Sequence, residues 1–261
     1  MARPPAPTAP CKLCGTTAVL QWSHIIPRWT YRRLIASVPG GPQNPVQVSD
    51  DVAITSGEQD AEYMLCRPCE ERIGPSEKYV ASIALNEDGS FPAIDRTTIV
   101  PTAPDPEWKI GDASALDCES LAYFVASVVW RASVSARFPK ISLGPKYDAE
   151  FADYLLGRTA FPSSARLMVE FMQPGNLPRV DRMIVAPEGQ RDAGFHVYQF
   201  CMFGMWFRMM VGNVLPDSIK PVSFVDTKLV LLSNGLRLLK EVSSKAKAAT
   251  PKGSLARRKT H

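Results

Sequence analysis

Two C-x-x-C pairs, "CKLCG" (Cys11, Cys14) and "LCRPCE" (Cys66, Cys69), constrain the fold of this 261-residue chain more than any other feature. Two residues between cysteines let both thiolates of a pair reach one cation. Two such pairs complete a tetrahedral Zn²⁺ site with Zn–S distances of about 2.3 Å. Closing that site brings Cys14 and Cys66 together across the 51 residues between them, so the intervening stretch must loop out. Gly15 suits the tight turn after the first pair. The alternative, four buried free cysteines, gives no reason for the paired spacing. Cys118 and Cys201 have no Cys or His close by in sequence and read as core residues.

Paired cysteines carry a different meaning in oxidising and reducing compartments. The opening "MARPPAPTAP" has no apolar run of the kind a secretory signal needs. The chain is therefore expected in the cytoplasm, with the pairs holding metal rather than forming disulfides. Its most hydrophobic window, "FHVYQFCMFGMWFRMMVG", is interrupted by His196, Gln199 and Arg208, so no membrane span is expected. Hydrophobic content of 45% and charged content of 21% fit a globular protein with a sizeable core. The net charge of +4 is concentrated at one end: Arg237 to His261 holds eight basic side chains against the single Glu241.

Patterning divides the chain into a flexible Pro/Ala arm (1–10), a zinc module (11–85), a Pro-, Asp- and Thr-rich connection (86–110), an α+β domain (111–240) and a basic tail (241–261). In "DCESLAYFVASVVWRASVSARF", Leu121, Phe124, Val125, Val128 and Val129 share one helical face, with Asp117 or Ser114 as N-cap. "YDAEFADYLLGR" predicts a shorter helix stopped by Gly157. "ARLMVEFM", "RVDRMIVAP", "FHVYQFCMF", "MWFRMMVG" and "TKLVLLS" read as strands, and a helix follows around "NGLRLLKEVSSKAKAA". A helix should also open at the second cysteine pair and kink or restart at Pro75. The expected fold class is α+β: an N-terminal zinc module, then a helical segment, then a small, mainly antiparallel sheet.

Between the pairs stands "SHIIPRW", with His24 one of three histidines in the chain. On its own, His24 reads either as a general base at an ion site or as a hydrogen-bonded core histidine at a strand end. A zinc-ligand role is disfavoured because four cysteines already fill the tetrahedron. Taken together, "CKLCG", "SHIIPRW" and "LCRPCE" resemble the zinc-bound HNH endonucleases of the ββα-metal (His-Me finger) group, of bacterial and phage type. The resemblance covers residues 11 to 80 and implies a treble clef: knuckle, hairpin and helix around one zinc.

That resemblance implies a function. The strand histidine, His24 here, would be the general base that activates water; a divalent ion, Mg²⁺ or Mn²⁺, would bind the scissile phosphate. Where such enzymes carry an Asp before the base, this chain has Ser23; where a His or Asn follows the last cysteine, it has Glu70. Glu70 is the expected ion ligand, with Glu71 as the alternative, and Asn44 in "GGPQNP" is a candidate for the Asn of the motif. The expected partner is nucleic acid, DNA in particular. Arg28, Arg32 and Arg33, interleaved with Trp29 and Tyr31, suit phosphate contacts and base stacking; a helix whose aromatics face the core is the equal alternative.

Overall fold

The computed structural model describes residues 4–36, 46–49, 52–102, 108–172, 180, 183–192 and 194–252. At the metal end, strands β1 (Thr8–Pro10) and β2 (Thr17–His24) pair antiparallel, joined by the turn that carries Cys11 and Cys14. Gly15 closes that turn: its N–H donates to the Cys11 carbonyl (2.9 Å), and its φ of +76° lies where only glycine is unstrained. Helix α1 (Arg28–Ala36) starts after Pro27, whose carbonyl accepts from both the N–H and the hydroxyl of Thr30. The looped-out stretch contains a hairpin, β3 (Val46–Ser49) and β4 (Val52–Thr55), which gains a third strand from β13 (Thr250–Pro251) near the C-terminus.

The chain returns along β5 (Ala61–Cys66), antiparallel to β2 from His24↔Ala61 to Leu20↔Cys66. Helix α2 (Arg67–Ile83) follows at once. Pro68 sits in its first turn, where a missing N–H has no intrahelical partner to lose. The helix does not restart at Pro75: α2 runs through it. Pro75 and Glu71, one turn earlier, both face solvent, so the carbonyl left without a donor can bond water.

The body departs further from the sequence pattern. The stretch 86–110, expected as a connection, forms helix α3 (Pro92–Asp95) and strands β6 (Thr98–Val100) and β7, which runs Trp108–Asp112. Both strands join a seven-stranded sheet with β8 (Ala165–Met172), β9 (Ile184–Asp192), β10 (Phe195–Met202), β11 (Met205–Val211) and β12 (Leu229–Ser233). The order is β6-β7-β12-β8-β11-β10-β9, and β12 runs parallel to β8, so the sheet is mixed and larger than expected. Leu229 pairs with Asp112, a contact between distant segments that no local pattern announces.

Helix α4 (Cys118–Val134) crosses the middle of the molecule. Asp117 caps it by accepting from the Ser120 N–H at 2.9 Å. Its predicted apolar face is buried, and so are Ala122, Ala126, Ser127, Trp130, Arg131 and Ala132, because α2 and α5 (Gly144–Leu155) flank it. Phe124 meets Phe200 and Phe207 of the sheet edge-on, with centroids 6.2 and 6.0 Å apart. A 3₁₀ turn (Asp217–Val222) and helix α6 (Phe224–Thr227) lead into β12, and α7 (Leu236–Ala248) follows it. Among the described residues, no helix is long and apolar enough to cross a membrane.

Two anchors join the metal end to the body. The β10–β11 hairpin turns at Phe203 and Gly204, both with positive φ (43° and 80°) as a two-residue hairpin requires. Buried Phe203 packs on Trp29 of α1, with centroids 5.4 Å apart. The second anchor is Arg131, whose side chain is only 1% exposed. Its Nη1 donates to the His24 carbonyl (2.6 Å), its Nη2 pairs with Glu77 Oε1 on α2 (2.8 Å), and its Nε donates to the Ser127 carbonyl at 3.1 Å. Deleting one partner of a buried ion pair costs about 3–5 kcal/mol. Arg131→Met should therefore lower the unfolding free energy by about that amount, read from the urea midpoint at constant slope; a change under about 1 kcal/mol would show that the anchor matters little.

Candidate metal centre

The hairpin turn presents Cys11 and Cys14, the end of β5 presents Cys66, and the first turn of α2 presents Cys69. Their four sulfur atoms lie within 4.8 Å of one another, and Cys14 Sγ and Cys66 Sγ are 3.7 Å apart. A tetrahedral zinc with Zn–S of about 2.3 Å requires sulfurs about 3.8 Å apart, so the cluster is close to the size such an ion needs. All four thiols are free, and all but Cys14 are buried.

Electrostatics point the same way. A hydrogen bond from the Thr16 hydroxyl, helped by bonds from Cys11 and Cys66, draws the Cys14 thiol down to about 6. Burial pushes Cys66 up, and burial together with the neighbouring thiols pushes Cys69 up further. Four thiols in one small pocket cannot all ionise against each other without a cation, and a bound metal supplies it. Four sulfur ligands leave no open coordination position, so the cluster suits a structural zinc.

His24 is the last residue of β2. Its Nε2 lies 2.7 Å from Gln59 Oε1, an acceptor for an Nε2–H. The imidazole is half-buried, with its centroid 6.3 Å from the Tyr31 ring. Tyr31 in turn accepts from the Asp60 N–H (3.1 Å) and donates to Asp60 Oδ2 (3.3 Å), so the 59–60 segment holds both rings. Burial raises the Asp60 carboxyl above its ordinary range. Ser23, one position earlier on the strand, is fully buried; its hydroxyl accepts from the Leu65 N–H and donates to the Gln21 carbonyl. It is bound up in the strand pairing.

Glu70 follows Cys69 in the first turn of α2. Its Oε1 is buried and has no hydrogen-bond partner among the described residues. Its charge acts on Glu77, whose carboxyl is raised by burial and by Glu70 and drawn back by Arg131. Glu71 is exposed and pairs with Arg67 at 2.7 Å. Arg28 and Arg32 are exposed on α1, whereas Arg33 turns inward, donating to the Leu85 carbonyl and lying 4.4 Å over the Phe203 ring. Trp29 and Tyr31 pack inward as well. Asn44 and the tail residues Arg257, Arg258 and Lys259 lie outside the described residues.

Three residues at the centre escaped the sequence reading: Gln59, Glu77 and Arg131. Only Arg131 left a trace, as a charge inside the apolar run "VVWRAS". Purified protein should carry about one zinc per chain, given a closed four-cysteine site. Cys69→Ser should lose most of that metal by elemental analysis, while Cys118→Ser keeps it, since the Cys118 thiol instead donates to the Ala113 and Leu116 carbonyls. Equal zinc in both variants would refute the assignment. No protein-family model matches this chain, and neither the curated proteins nor the solved structures contain a match.

Proposed function

We propose that residues 11–85 form a zinc-stapled treble clef of the HNH type and that the chain is a metal-dependent endonuclease acting on nucleic acid. The support is local. A cysteine turn, a strand ending in His24 and a helix opening at the second pair follow one another in the order that such a site requires. The observation that carries the catalytic part is the Glu70 carboxylate oxygen, buried next to Cys69 in the first turn of α2 and without a hydrogen-bond donor among the described residues. An orphaned carboxylate oxygen is costly unless a cation completes it.

Under this reading, Glu70 holds Mg²⁺ or Mn²⁺, and that ion would polarise the phosphate and stabilise the leaving oxygen. His24 takes a proton from the attacking water, and Gln59, within hydrogen-bond distance of Nε2, orients the ring. The Arg131 bond to the His24 carbonyl fixes the strand end from which the imidazole projects. Arg28 and Arg32 are free of the core to meet phosphates; Arg33 anchors α1 instead.

One pair of observations favours a second reading, a non-catalytic clef that binds nucleic acid or a protein partner. Ser23 is engaged in the strand pairing, and a guanidinium already sits beside the His24 carbonyl and Glu77. The deciding assay is cleavage of supercoiled plasmid in Mg²⁺ or Mn²⁺. His24→Ala should reduce nicking by about 10²-fold or more, as loss of a general base does, and Glu70→Gln should also reduce it, with zinc content unchanged in both. Absence of cleavage by folded, zinc-loaded protein that still binds DNA without added divalent ions would favour the second reading.

A further inference from the structure

A cleft of about 640 Å³ opens on the body, lined by the solvent side of α2, the start of α4, the end of α5 with the loop after it, and α6. None of the residues assigned to the cysteine cluster or to the His24 site lines it. Its volume lies within the range of small-molecule sites, about 300–1,000 Å³.

The lining is of two kinds. Tyr123, Tyr154 and Phe161 form a chain of half-buried rings, with Tyr154 5.7 Å from Tyr123 and 5.4 Å from Phe161. Beside them stand two cations from opposite sides, Arg72 of α2 and Lys228 at the end of α6. Neither makes a side-chain hydrogen bond or salt bridge among the described residues, although the Lys228 charge acts at longer range on the Asp112 carboxylate. The Arg72 guanidinium reaches across to the end of α5: a Cβ on Gly157 would lie 3.6 Å from its Nη1. The first turn of α4 also lines the cleft, but its N-terminus is already capped by the Asp117 carboxylate, so the positive charge here comes from Arg72 and Lys228. Glu119 is the one carboxylate among the described lining residues.

The half-buried aromatic rings favour a flat partner ring. Arg72 and Lys228 beside them favour an anion, and the guanidinium fork suits phosphate or carboxylate oxygens. We propose that this cleft binds a small aromatic anion of nucleotide size, with the ring on Tyr154 and its neighbours and the anionic group between Arg72 and Lys228. The proposal does not depend on the nuclease reading, since it uses a different face and different residues.

Calorimetric titration of the zinc-loaded full chain with AMP, adenosine and inorganic phosphate tests it. AMP should bind at least about tenfold more tightly than either half, because charge-assisted bonds and ring contact each contribute. The double variant Arg72→Gln/Lys228→Gln should weaken AMP by about tenfold or more. Tyr154→Leu should weaken AMP and adenosine alike, and Glu119→Gln should tighten AMP by removing repulsion. Circular dichroism and zinc content confirm that each variant is folded. Three results would overturn the proposal: no saturable binding of AMP by folded protein, phosphate binding as tightly as AMP, or AMP binding that the double cation variant leaves unchanged.

Discussion

The guanidinium of Arg131 is the contact on which the rest of the arrangement depends. A charge this deeply buried is tolerated only when its donors are satisfied, and here the acceptors come from three elements: the end of β2, helix α2 and its own helix α4. Satisfying one side chain therefore fixes the relative positions of the cysteine module, the helix that leaves it and the central helix of the body. The Phe203 hairpin turn, packed on Trp29 and beneath Arg33, provides an apolar counterpart on the other side.

With both anchors in place, the metal end and the body share one continuous core. Leu20, Ile25, Ile26 and Leu65 belong to the same buried cluster as Phe124, Val128 and Phe207. The sheet of β1, β2 and β5 is small, with only three residues in β1, so packing against its helices adds to its stability. A bound metal would close its open end, and α2 and α4 cover its flank. The same crowding explains why the Glu77 carboxyl is raised even beside an arginine: burial outweighs the attraction.

Much of this was legible locally. The cysteine spacing, the face of α4 with its Asp117 cap, the Gly157 stop and the five strands between 165 and 233 all follow from near-neighbour rules of turn, period and cap. The restart expected at Pro75 does not occur: local rules count a missing N–H without knowing which side of the helix faces water. The 86–110 stretch misled because its strands are short and β7, which joins them to the sheet, pairs with β12 more than a hundred residues away. Of the candidate site, the four cysteines, His24 and Glu70 could be picked out as residue types in a pattern. That Ser23 faces inward and that Arg33 turns onto Phe203 depends on neighbours from other segments.

The sequence by itself therefore determined the four-cysteine set of the candidate metal centre and the local elements, because cysteine spacing and helical or strand period act over a few residues. The tertiary structure alone decided which charges meet. Arg131 reaching His24 across 107 positions, Gln59 holding its imidazole, and Arg72 and Lys228 facing one cleft are products of chain return. Such contacts are set by the shared core that brings the segments together, and no short window of sequence contains both partners.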